Sequence, residues 1–296
     1  CGTLDDGVKA GKPFVKIATG TVADTKTTTI DGTAVTILAD PGAHLSRSNG
    51  GVILQVQNDG ADVKIFDLEI TGGTGVTNPA ISIPSGGAPK LTLMRVTVDG
   101  NQGIGISAAA GTLTMSRCGV SGNTAGGISI SAAQFDITNS LIVKNGGPSS
   151  GIGGLDISQI LAAGAHRLDF NSITANAGNT SINTGVNCST VVVPVIFDSD
   201  IIFGNSVSGT GKQIGDSGGT AMCSAIYSDV GDIIAGTGNI NSDPMFVNTA
   251  QNNFHLMGAS PAKDVADPAA TLSEDIDGDT RPQGPRRDMG ADEIKP

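Results

Sequence analysis

The chain has 296 residues, with 43 Gly, one Tyr, no Trp and 38% hydrophobic residues. Thr, Ser, Asn, Val and Ile accompany the glycine, which is strand-and-turn chemistry and excludes a conventional helical or doubly wound enzyme. A net charge of −11 excludes the basic footprint that nucleic acid requires, and no run approaches the ~20 apolar residues of a membrane span.

Residues 1–50 read as an N-terminal cap and the first coils of a repeat. Cys1 opens the chain directly and reads either as a lipidated N terminus or as the partner of an upstream cysteine. Residues 7–12 are expected to form a short helix over the end of the stack. Val15 with Ile17, then Val35 with Ile37, alternate as half-buried strands do, and Gly20, Gly32 and Pro41-Gly42 punctuate them.

Residues 51–258 carry the main signal. An eleven-residue frame recurs six times: VKIFDLEITGG from Val63, LTLMRVTVDGN from Leu91, LTMSRCGVSGN from Leu113, FDITNSLIVKN from Phe135, HRLDFNSITAN from His166 and VIFDSDIIFGN from Val195. Position one is apolar except at His166, position three is Ile, Leu, Met or Phe, and position eight is Ile or Val. Position eleven is Asn in five copies. Each copy is an alternating strand, a bend, a short second strand and a stop. Copies begin 22 to 31 residues apart, a period that marks a solenoid. The near-perfect hexapeptides of left-handed forms are missing. The predicted fold is therefore all-β: one single-stranded right-handed parallel β-helix, with an N-terminal cap and an extended C-terminal cap. Corners are expanded at 146–154, 177–189 and 206–223, where insertions leave the coil in register. Stacking sets Asn101, Asn123, Asn145, Asn176 and Asn205 above one another as a structural amide ladder. Cys118, at position six, reads as a small, partly buried thiol. Cys188 and Cys223 flank the last copy, and a disulfide between them implies an oxidising, extracytoplasmic location, secreted or cell-surface attached.

Residues 259–296 are rich in Asp, Arg, Pro and Gly and read as the C-terminal cap. Within it Asp275, Asp277 and Asp279 alternate around Gly278, a partial calcium loop. The bidentate Glu of the full loop is missing, and the competing reading pairs Arg281, Arg286 or Arg287 with Asp288 or Asp292. The strings SPAKDVADP from Ser260 and DIDGDTRPQGPRRDMGADE from Asp275 resemble the C-terminal signature of bacterial choice-of-anchor Q domain proteins. NINSDPMFV from Asn239, NNFHL from Asn252 and the opening CGTLDDGVKAGKPFVKIATG are similar to the same family. The resemblance spans nearly the whole chain. It implies an exported, often surface-associated β-helix, with an anchoring segment after the signature in many members. This chain stops at Lys295-Pro296, which leaves its mode of attachment open.

Frame positions two, four and five should face outward. Asp169 and Asp198 then sit on adjacent coils, with Asp136, Arg117 and Arg167 as neighbours on that face. A polysaccharide lyase needs a base, usually Arg or Lys, and a cation beside a uronate. A glycoside hydrolase needs two carboxylates. Hallmark hydrolase strings of the NTD, DD, GHG and RIK types are missing, and Phe66 and Phe170 are the only outward aromatics expected in the frame. His44, His166 and His255 are isolated, with no metal-ligand spacing. The favoured function is an exported, non-catalytic scaffold or an adhesive or glycan-binding module at the bacterial surface, its partner a polysaccharide or a surface protein. The alternatives are a polysaccharide lyase or glycoside hydrolase working on the outer face, and a self-assembling filament or layer subunit. No cofactor is expected beyond calcium at the Asp275 loop.

Overall fold

The computed structural model describes residues 2–47, 49–160, 164, 166–179, 184–206, 211–216, 222–232 and 235–295. Cys1 and parts of the corners at 177–189 and 206–223 lie outside the described residues.

Alternating apolar residues at 22- to 31-residue intervals can bury one face only by stacking coil on coil, and that is what the chain does. Three parallel sheets run along the rod. The first has nine strands, from Phe14–Ile17 to Cys223–Ile226. The second also has nine, from Gly20–Ala23 to Asp229–Val230. The third has eight, from Thr28–Asp31 to Ile214–Asp216. Among the described residues, each of the first eight coils gives one strand to each sheet and the ninth gives one to the first two, the arrangement of a right-handed parallel β-helix.

The frame is the register. Val63, Leu91, Leu113, Phe135 and His166 lie opposite one another in the first sheet, and the Arg167–Ile196 pairing extends the column to Val195. Cys223 stands opposite Val195, so a further copy begins there. Its position three is Ala225, fully buried like the others. Position three is fully buried in all six original copies, at Ile65, Leu93, Met115, Ile137, Leu168 and Phe197. Each such burial stabilises by about 1.5–3 kcal/mol.

Two left-handed residues make the bends. Position five is left-handed at Asp67, Arg95, Arg117, Asn139, Phe170 and Ser199, with φ between +46° and +61°. Position ten is left-handed at Gly72, Gly100, Gly122, Lys144, Ala175 and Gly204, with φ between +56° and +72°. Glycine fills four of the latter because it adopts this conformation without a Cβ clash.

The N-terminal helix runs Leu4–Lys9, earlier than expected, because the Thr3 side chain caps the Asp6 N–H and Asp5 and Asp6 suit the first turn. Its buried Leu4 belongs to the main core. At the far end residues 237–240 close the stack, where Tyr227 N–H donates to Thr237 O and Val230 N–H to Ile240 O.

The C-terminal segment lies along the side of the rod. Gly290 N–H donates to Ser199 O, Ala291 N–H to Ser172 Oγ and Asn139 Nδ2 to Glu274 O. A second core forms between them from Phe170, Ile201, Leu256, Ala262, Ala266 and Met289. Phe170 points out of its coil as expected but is only 1% exposed, because the tail covers it and Arg281 sits 4.7 Å from its ring centroid.

Candidate functional site

Two polar columns fix the coil corners beside the outer face. At position eleven, Asn101, Asn123, Asn145 and Asn176 each send their N–H and Nδ2 to the side-chain oxygen of the next residue in the column. Asn205 closes the column on Gln213 Oε1. Each amide also donates back to a carbonyl, for example Asn145 Nδ2 to Val120 O at 2.9 Å. Room for these amides comes from Gly105, Gly127, Gly154 and Gly185, where a Cβ would fall 2.8–3.0 Å from the ladder Nδ2 atoms.

The second column, at position six, was missed in the sequence because its residue types vary. Cys118 N–H donates to Ser140 Oγ, Ser140 N–H to Asn171 Oδ1, Asn171 N–H to Asp200 Oδ1 and Asp200 N–H to Ser228 Oγ. Asp200 is fully buried, and its Oδ2 has no partner. Burial pushes its carboxyl well above the usual carboxylate range.

Outside these columns lies the acidic face. Asp169 and Asp198 are register partners in the first sheet, and Asp136 lies opposite Arg167 one coil away. The Arg167 guanidinium ion-pairs with Asp169, and its Nη1 is 3.9 Å from Asp136 Oδ1. Burial pushes Asp169 up, and Arg167 opposes that shift. Burial pushes Asp198 up to about 6, against a 3.0 Å bond from Ser199 Oγ and with the help of the Asp267 and Asp169 carboxylates. Asp267 comes from the tail, its N–H held by Ser199 Oγ, and no repeat position announces it.

Arg117 is not part of this group. It is two coils away from Asp169, at position five, where its Nη1 meets Glu274 at 2.9 Å and its Nε donates to Ile276 O. The tail therefore recruits Arg117 and walls the position-five edge of the face.

The Asp275 loop is held from within. Asp275 Oδ1 accepts the N–H groups of Asp277, Gly278 and Asp279, and its Oδ2 accepts that of Glu293. Asp277 meets His255 Nε2 at 2.7 Å, and Asp279 meets Lys295 at 2.8 Å. One oxygen from each of Asp275, Asp277 and Asp279 still lies within 4.8 Å of the others, a spacing that can accept a cation. The arginines pair differently from the expectation. Arg281, fully buried, lies 3.6 Å from Glu293 and donates to Asp288 O and Gly290 O. Arg286 donates to Ala266 O, and Arg287 Nε donates to Leu272 O.

Cys188 and Cys223 form a disulfide that joins the third sheet to the first across 35 residues. In the chain-entropy picture such a closure stabilises by about 3–4 kcal/mol. Cys118 is a buried free thiol pushed up to about 11 by that burial, which makes it inert. Among the described residues no helix is long and apolar enough to cross a membrane.

The fold has a counterpart among solved structures. A crystal structure of pectate lyase Pel9A superposes with a TM-score of 0.50 at 13% identity, covering 95% of this chain and 87% of that one. No protein-family model matches the chain, and neither does any curated protein. The likeness is one of fold.

Proposed function

We propose that the protein is an extracytoplasmic β-helix scaffold that binds glycans or surface proteins at the bacterial exterior and is not an enzyme. The observation that carries this reading is the pairing of every arginine on the outer face. Arg167 is tied to Asp169, Arg117 to Glu274, and Arg95 to Asp67 through two bonds of 2.5 and 2.9 Å. A lyase that uses arginine as its base needs a guanidinium that can give up its own proton before taking one from the substrate, and ion pairing to a carboxylate holds these guanidinium groups protonated. The Cys188–Cys223 bridge supports an oxidising compartment. The likeness to choice-of-anchor Q proteins supports surface association.

One observation favours a second reading. Asp198, raised to about 6 by burial, stands in register with Asp169 on the adjacent coil, two neighbouring carboxylates of the kind a glycoside hydrolase needs. Incubation with a panel of neutral and acidic polysaccharides separates the two. The scaffold predicts glycan retention without new reducing ends or unsaturated products. Turnover that Asp198→Asn and Asp169→Asn abolish overturns it in favour of the hydrolase.

A further inference from the structure

Three separate turns of the tail converge on one small hollow. His255 comes from the strand Asn253–Leu256, Asp277 from the loop after Asp275, and Asp292 from the final turn. One donor atom of each lies within 4.8 Å of the other two. The hollow measures about 390 Å³, and Asp279, Glu293 and Lys295 complete its charged lining. We propose that His255, Asp277 and Asp292 bind a divalent transition-metal ion of the zinc class, which staples these three turns together on the side of the rod.

Asp292 gives the site its independent support. It is only 7% exposed, and its Oδ2 accepts the Leu256 N–H at 2.7 Å. Its Oδ1 takes no hydrogen bond, and the residue lines the hollow. That oxygen is not sealed inside the protein, so it is open to a ligand that enters the hollow.

The histidine is braced as metal ligands are. Asn253 Oδ1 lies 2.7 Å from His255 Nδ1 and also accepts the His255 N–H. Nδ1 therefore carries the proton, and the Nε2 lone pair is directed into the cluster. Nε2 and the Asp277 oxygen stand 2.7 Å apart, so a cation, either a proton or a metal ion, must lie between two electron-rich atoms.

The donor types select the metal. One imidazole and two carboxylates suit zinc and its first-row neighbours, whereas calcium takes oxygen alone. The oxygen-only set is weaker here, because both oxygens of Asp275 already hold backbone N–H groups. Lys295 is drawn off by Asp279, which leaves the Asp277–Asp292 side of the hollow negative.

Calorimetric titration of the chelator-treated full chain with zinc chloride tests the site, with calcium and manganese chloride run in parallel. The expected result is one zinc bound per chain, raised thermal stability, and at least tenfold weaker binding in both His255→Gln and Asp292→Asn. Because the His255 side chain is 47% exposed, His255→Gln should fold normally, which circular dichroism verifies. A cobalt-substituted sample should show visible d–d bands that His255→Gln removes. Zinc uptake that is undetectable, or unchanged in both variants, overturns the proposal. So does binding of calcium alone that persists in His255→Gln.

Discussion

The two polar columns sit at neighbouring corners of the same coils and solve the same problem differently. At position eleven the column is asparagine from Asn101 to Asn205, with Gly73 N–H donating to Asn101 at one end and Gln213 finishing it at the other. An amide offers an oxygen for the coil on one side and two N–H donors for the rest, so each asparagine satisfies its neighbours without charge. At position six the column runs Cys118, Ser140, Asn171, Asp200, Ser228, mixing thiol, hydroxyl, amide and carboxyl groups. The back-bond to position three of the preceding coil still recurs, from Cys118 to Leu93 O, from Asn171 to Ile137 O and from Ser228 to Phe197 O. Ser140 turns instead to Thr138 O, and Asp200 makes no such bond, its Oδ2 having no partner. The uniform column is self-sufficient at any pH, whereas the mixed one depends on a proton.

The largest expected effect comes from breaking the uniform column. Asn145→Ala removes an oxygen that accepts both Asn123 N–H and Asn123 Nδ2, and a donor to Val120 O. Buried groups left unpaired cost about 1–3 kcal/mol each, so urea unfolding should show a loss of about 3–4 kcal/mol. That loss should be the same at all pH values where the fold is stable. A loss below about 1 kcal/mol would mean that the coils hold their corners without the ladder.

The next effect has the opposite sign and sharpens the contrast. Asp200→Asn keeps an oxygen acceptor, adds an N–H donor and cannot ionise, so it should stabilise the protein by about 1–2 kcal/mol at pH values where the wild-type carboxyl loses its proton. The sign follows from linkage. The folded state holds the Asp200 proton above the ordinary carboxylate range while the unfolded chain releases it within that range. Stability from this group is therefore intact in acid and falls as pH rises from the ordinary carboxylate range toward the folded value. Asp229, pushed to about 7 by burial, adds a fall of the same sign, so the difference between wild type and variant is the quantity to measure. Parallel pH profiles for the two proteins would refute the dependence on Asp200.

The contrast also explains what could be read before the structure. Columns with one kind of residue are visible as repetition: the apolar positions one, three and eight, and the terminal asparagine. They fixed the coil, its period and the Asp169–Asp198 pairing. The position-six column escaped because Ser, Asn and Asp perform one geometric task with unlike side chains. The tail escaped for a different reason. It has no period, so nothing local says that Glu274 will reach Arg117 or that Asp267 will lie beside Asp198. Those contacts span about 70 to 160 residues and depend on a tertiary path along the rod. The gathering of His255, Asp277 and Asp292 was hidden likewise, since their spacing of 22 and 15 residues matches no metal motif.

The smallest effect separates sharing a column from sharing a mechanism. Ser140 Oγ accepts the Cys118 N–H at 3.1 Å and donates to Thr138 O at 2.8 Å. Ser140→Ala should cost about 1 kcal/mol, the worth of one ordinary buried hydrogen bond, because serine makes fewer bonds than asparagine does. The more telling measurement is the double variant with Asp200→Asn. Ser140 N–H bonds Asn171 Oδ1, and Asn171 in turn bonds Asp200, so the two sites communicate only through that amide. If the column polarises as a chain, the two changes should couple by about 0.5 kcal/mol or more. Strict additivity would mean that each joint acts alone, and that uniformity at position eleven reflects local satisfaction at each coil rather than cooperation along the rod.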